Sequence, residues 1–66
     1  MRHNLFVARR ENRMKQAEVA KKLMIHRVSY SRKERGEQDF TLNEAFILAK
    51  LFNTTVDQLF SRREES

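Results

Sequence analysis

Residues 27 to 35, RVSYSRKER, carry Arg27, Val28, Ser31, Arg32 and Arg35 at spacings that bring them together only on a helix. At about 100° per residue these five side chains share one face, and Tyr30 and the stem of Lys33 take the other. The chemistry open to such a face is recognition, not bond-making. A guanidinium group donates two parallel hydrogen bonds to O6 and N7 of guanine, and a small apolar group meets a thymine methyl. A helix with these groups near its N-terminus suits the DNA major groove. Arg27, Val28, Ser31 and Arg32 are therefore candidate base contacts. Arg13, Lys15, Gln16 and Arg35 are candidate phosphate contacts. Gln16 opens an earlier helix, whose free amides and positive dipole end favour a phosphate, and its side-chain amide adds a donor. Contacts of that kind set position and salt dependence rather than sequence choice.

No other constellation competes. His26 and Ser29 stand three apart without an acid to complete a relay, and there is no glycine-rich loop. A chain of 66 residues also encloses no sizeable pocket, so no enzyme is expected. There is no cysteine, and His3 and His26 lack ligand spacing; no metal or cofactor is expected. The net charge is +5, but its placement is more telling. Residues 1 to 35 hold eleven Lys/Arg against three Asp/Glu, a balance of +8; the remainder holds three against six, a balance of −3. A half so basic attracts polyanions, nucleic acid or anionic lipid; taken with the arginine face and the tight turn, it points to double-stranded DNA. No apolar run approaches the roughly 18 residues of a membrane span, and MRHNLFVARR has no signal-like stretch. A soluble cytoplasmic protein without a membrane partner is expected.

The elements that must hold the arginine face follow from composition and period. No proline, one glycine and abundant Ala, Leu, Lys, Arg and Glu predict an all-α domain. Five helices are expected, over 4–12, 16–24, 27–35, 42–52 and 56–60, with a polar tail, 61–66, that frays. Only Met24, Ile25 and His26 separate the second helix from the third, which forces the sharp crossing of a helix-turn-helix. Ala20 lets the crossing helices approach, and Ile25 plugs the corner. Thr41 with Glu44, and Thr55 with Gln58, read as capping boxes.

The fourth helix is apolar nearly all round. Its inward arc is expected to be Leu42, Ala45, Phe46, Leu48, Ala49 and Phe52, which leaves Ile47 and Leu51 outside. Small domains gain much from association, so Ile47, Leu51 and Phe60 are expected to form a homodimer contact. The alternative is that the fifth helix and Phe6-Val7 fold back over them.

The pieces ARRENRMKQAEVAKKL, IHRVSYSRKERG and TLNEAFILAKLFNTTVDQLF together resemble the Xre-type, phage-repressor-like helix-turn-helix family over 56 of 66 positions. The resemblance implies a compact five-helix, lambda-repressor-like domain in a bacterial or phage-encoded transcription regulator. Such regulators are usually dimeric, and a repressor reading a palindromic operator is the expectation. The alternative is an interaction module, an antitoxin or coactivator, that keeps the fold. Residue by residue, the resemblance implies that Gln16 meets a phosphate and that Arg27, Val28 and Arg32 face base edges. It places Ser29 and Ser31 near the DNA, Ser29 against the phosphates. It also implies a salt bridge from Arg9 to Glu34, tying the first helix to the third. Without it, that pair reads equally as two surface charges worth at most about 1 kcal/mol. Four departures stand out. Met24 occupies the turn position where relatives carry glycine. Lys15 and His26 sit where caps belong. Lys33 replaces an apolar residue, so its stem is expected to snorkel. Glu37-Gln38-Asp39 is acidic where relatives are often basic.

Overall fold

The computed structural model describes residues 1–61, so most of the expected tail, 62–66, lies outside the described residues. The elements are α1 (His3–Glu11), α2 (Gln16–Leu23), α3 (Arg27–Arg35), α4 (Leu42–Leu51) and α5 (Val56–Phe60). Over the described residues the protein is an all-α, five-helix domain. Helix α2 packs across α3 and against α4, while α5 closes on α1 and α4. Leu5, Val19, Leu23, Tyr30, Leu48, Phe52 and Leu59 are the large members of one apolar core to which every helix contributes. Ala20 is buried at the α2–α3 crossing, and Ile25 packs on the core from the corner.

Each of the first four helices stops in the same way. The chain turns left-handed at Arg13 (φ 55°), Met24 (φ 61°), Gly36 (φ 90°) and Asn53 (φ 56°). At each, that residue's amide donates three residues back and the next amide donates five residues back. After α2 these bonds are Met24 N to Lys21 O, 3.0 Å, and Ile25 N to Ala20 O, 3.0 Å. After α3 they are Gly36 N to Lys33 O, 3.1 Å, and Glu37 N to Arg32 O, 2.9 Å. The paired bonds satisfy carbonyls that a helix end otherwise leaves open. Only one of the four stops uses glycine. Met24 is the least suited, with a flexible side chain 90% exposed and a Cβ in a conformation costing roughly 1–2 kcal/mol. Part of that returns on substitution, because glycine also frees the unfolded chain. Met24→Gly is expected to stabilise the fold by about 1 kcal/mol, read as a higher denaturant midpoint; an unchanged or lower midpoint would mean the turn holds no strain.

The helix starts use unusual groups. At α3, His26 Nδ1 accepts from Val28 N at 3.1 Å, so a neutral imidazole nitrogen takes the place of a hydroxyl. At α2, Glu18 accepts from Lys15 N at 2.7 Å, which makes half a capping box. At α4 the box is complete, with Thr41 and Glu44 exchanging two bonds of 3.0 Å. At α5 the expected box is only half made. Gln58 N donates to Thr55 Oγ1 at 3.1 Å, but the Gln58 side chain accepts from Thr54 instead.

The inward arc of α4 departs from expectation. Ala45, Leu48, Ala49 and Phe52 are buried, but Leu42 and Phe46 are 68% and 56% exposed. Ile47 and Leu51, expected outside, are half-buried against the core, as is Phe60. The cause is Glu44, only 8% exposed, whose carboxylate accepts from Lys33 Nζ at 2.7 Å and from the Thr41 amide. Drawing this polar residue inward rolls α4 so that Ile47 and Leu51 follow it in and Leu42 and Phe46 swing out. Lys33 correspondingly does not snorkel to water. Its ammonium group stays between α3 and α4, paired with Glu44 and 5.8 Å from the Phe40 ring centre.

Candidate nucleic-acid interface

One carboxylate fixes α3. Glu34, 1% exposed, accepts from Arg9 through Nε (2.8 Å) and Nη2 (3.1 Å), from Tyr30 Oη (2.8 Å) and from Gln16 Nε2 (2.8 Å). Four donors from three helices thus meet two oxygens. Among the described residues no buried side-chain nitrogen or oxygen lacks a partner. Burial pushes the Glu34 carboxyl up, but the bonds from Arg9, Gln16 and Tyr30 outweigh it and hold the group below the ordinary carboxylate range. The Arg9 guanidinium is raised by the same hydrogen bonds, and burial pushes the Tyr30 phenol well up. A bidentate pair so enclosed does not swivel, and α3 is locked in rotation about its axis.

That lock decides what faces out. Arg27, Arg32 and Arg35 are exposed, Val28 is 44% exposed, and Tyr30 and Glu34 occupy the opposite, buried side. Ser31 is half-buried at the edge of the outer face, and Ser29 is half-buried towards the inner one. Arg13 and Lys15 are exposed in the α1–α2 turn. The outer face of α3 is a cluster of cations around one small apolar group, and among the described residues no helix covers it.

Two of the expected contact residues are engaged within the molecule. The Gln16 side-chain nitrogen donates to Glu34 at 2.8 Å. An amide nitrogen carries two hydrogens, so a second donor remains beside the backbone amides that open α2. Arg35 is also engaged. It donates to Glu37 at 3.0 and 3.3 Å and to Ser31 Oγ at 3.0 Å, folded back across the Gly36 turn. The pair raises Arg35 and lowers Glu37 through mutual hydrogen bonding, yet both are exposed and yield readily to a competing anion. The sequence could not signal this pairing, since residues two apart do not meet on a helix; the left-handed turn at Gly36 brings them together.

The residues missed from sequence are those whose partners lie far along the chain. Arg2 is the main one. Its Nε donates to Lys33 O at 2.7 Å and its Nη2 to Gln38 O at 3.1 Å. Among the described residues no group of three acidic, histidine or cysteine side chains has the arrangement of a metal site, and no helix is long and apolar enough to cross a membrane. Residues 7–59 match the family model described as helix-turn-helix. No curated protein and no solved structure gives a significant match to the chain.

Proposed function

The chain belongs to the helix-turn-helix family of phage-repressor-like, DNA-binding regulators, and on that footing we propose that it reads operator sequence through the outer face of α3. The observation that carries this is the exposure of Arg27, Val28 and Arg32 on a helix whose rotation is locked from behind by Glu34. Arg27 and Arg32 supply paired donors to guanine, Val28 meets a thymine methyl, and Ser31 serves the edge of the same patch. Arg13, Lys15, Ser29 and the amides that open α2 hold the phosphates, with Gln16 bracing α3 from within. The regulator acts as a cytoplasmic repressor of a bacterial or phage promoter, occupying DNA that polymerase needs.

Fluorescence anisotropy with duplex DNA over a range of salt concentrations tests this. Binding should prefer one duplex over its scrambled counterpart and weaken linearly in log–log form as salt rises. Affinity that ignores both sequence and salt would sink the proposal. Glu37→Gln refines it. Freeing Arg35 is expected to tighten binding to any duplex and to steepen the salt slope by about 0.9, the share of one further phosphate. An unchanged slope would leave Arg35 without a phosphate role.

The dimer belongs to the same proposal, on a surface that shares only Phe60 with the one expected. Leu42 and Phe46 lie one turn apart and exposed, and Leu42 stands at the lip of a groove lined by Phe40, Ala45, Val56 and Phe60 together with Arg2 and Asp39. A two-fold contact there would set two α3 helices on one side, matched to half-sites about 34 Å apart. Leu42→Glu with Phe46→Glu should sediment as a folded monomer, since neither side chain supports the core. A dimer that survives both changes removes this interface.

A further inference from the structure

Helix α3 is held at its start by the turn from α2 and along its inner side by Tyr30, by Glu34 with Arg9 and Gln16, and by the Lys33–Glu44 pair. Its far end leads into Arg35, Gly36 and Glu37, all exposed. One residue binds the last carbonyls of that end. Arg2 N donates to Glu34 O at 2.8 Å and Arg2 Nε to Lys33 O at 2.7 Å, so two of the last carbonyls of α3 are bound by a single residue. Its Nη2 reaches Gln38 O at 3.1 Å and Asp39 Oδ1 at 3.3 Å, and its guanidinium lies 5.5 Å from the Phe40 ring centre and 6.0 Å from that of Phe60. The Arg2 carbonyl in turn accepts from Phe6 N at 3.0 Å and opens α1. The side chain is three-quarters covered. A cation at the C-terminal end of a helix also faces its partial negative charge.

We infer that Arg2 is a positioning residue for DNA reading: it clamps the C-terminal end of α3 to α1, to the 37–41 loop and to α5, and so fixes the tilt of the recognition helix. The inference rests on the function proposed above. Arg2 lies outside residues 7–59, the part that matches the family. The fork of donors is what matters. Arginine serves several acceptors at once in fixed geometry, whereas lysine brings one point charge. With the clamp gone, the last turn of α3 keeps its side-chain ties through Lys33 and Glu34 but loses the bonds that hold its carbonyls, and its tilt is less sharply set. Paired hydrogen bonds to a base edge fail within a few tenths of an ångström, while long-range attraction to phosphates survives such motion.

The test compares wild type, Arg2→Ala and Arg2→Lys on a duplex selected from random DNA and on a scrambled duplex, below each variant's melting temperature. The ratio of the two affinities should fall about tenfold in both variants, the equivalent of one base contact. Affinity for the scrambled duplex should change by less than about threefold, one weakly placed cation at most. A purely structural role would lower both affinities together through the folded fraction and leave the ratio intact; that result overturns the inference, and so does full retention of the ratio by Arg2→Lys. If Arg2→Ala is too unstable to assay, Arg2→Lys decides by itself. A wild type without preference for any duplex overturns the proposed function and this clamp with it, whereas a wild-type preference unmoved by Arg2 overturns the clamp alone.

Discussion

Glu34→Gln is expected to destabilise the domain by about 3–5 kcal/mol, the usual cost of removing one partner from a buried ion pair. The amide keeps the shape of the carboxylate but not its charge. It leaves the Arg9 guanidinium buried without a counter-ion, and one of the two acceptor atoms becomes a donor facing Arg9, Tyr30 or Gln16. At about 0.05–0.15 kcal/mol per residue, a domain of this length has only some 3–10 kcal/mol in total. Chemical denaturation at neutral pH should therefore show a variant partly unfolded before denaturant is added. The same group sets the acid limit. Its folded pKa is depressed below the ordinary 4.5, and Glu44, held down by Lys33 and Thr41 against burial, shifts in the same direction. A depressed carboxylate contributes stability that is fully present above the unfolded pKa and lost as pH falls through the folded one. Melting temperature should thus hold level through neutral pH and decline below about pH 4.5, with a shallower decline in Glu34→Gln. A variant as stable as wild type at neutral pH would show that the cluster does not hold α3.

Arg27→Ala and Arg32→Ala should each reduce the preference for the selected duplex by about 1–3 kcal/mol, roughly 5- to 150-fold. Both are exposed on the outer face of α3, and neither side chain makes a hydrogen bond or an ion pair among the described residues, so the loss should appear with little change in melting temperature. Arg13→Ala and Lys15→Ala form the contrast. They should weaken binding to every duplex alike and lower the salt slope by about one each. If all four substitutions act alike, α3 supplies only charge and no reading of bases takes place.

Much of this was legible along the chain because α3 is short and its two faces differ in chemistry. Tyr30 inward and Arg27 and Arg32 outward follow from the helical period alone. The tight Met24–His26 corner announced the crossing. What stayed hidden depended on partners distant in sequence or on backbone signs that residue type does not display. Glu44 reads as an outward, solvated residue until Lys33 is known to lie beside it, and that one reversal rolls the whole of α4. Gln16 carries no sign in the chain of its bond to Glu34, 2.8 Å away. Arg13 and Asn53 carry no glycine to mark the stops they make. The Arg2 side chain acts through residues more than thirty positions away. Local period is thus a sound guide to a helix's faces until a buried charge pair overrides it.

Selection of bound duplexes from a random pool tests most directly whether α3 reads bases. A single enriched motif with guanines at fixed positions is the expected result, and those guanines should lose their enrichment when the selection is repeated with Arg27→Ala and Arg32→Ala combined. A pool that stays random under wild type, or a motif that survives loss of both arginines, would contradict it.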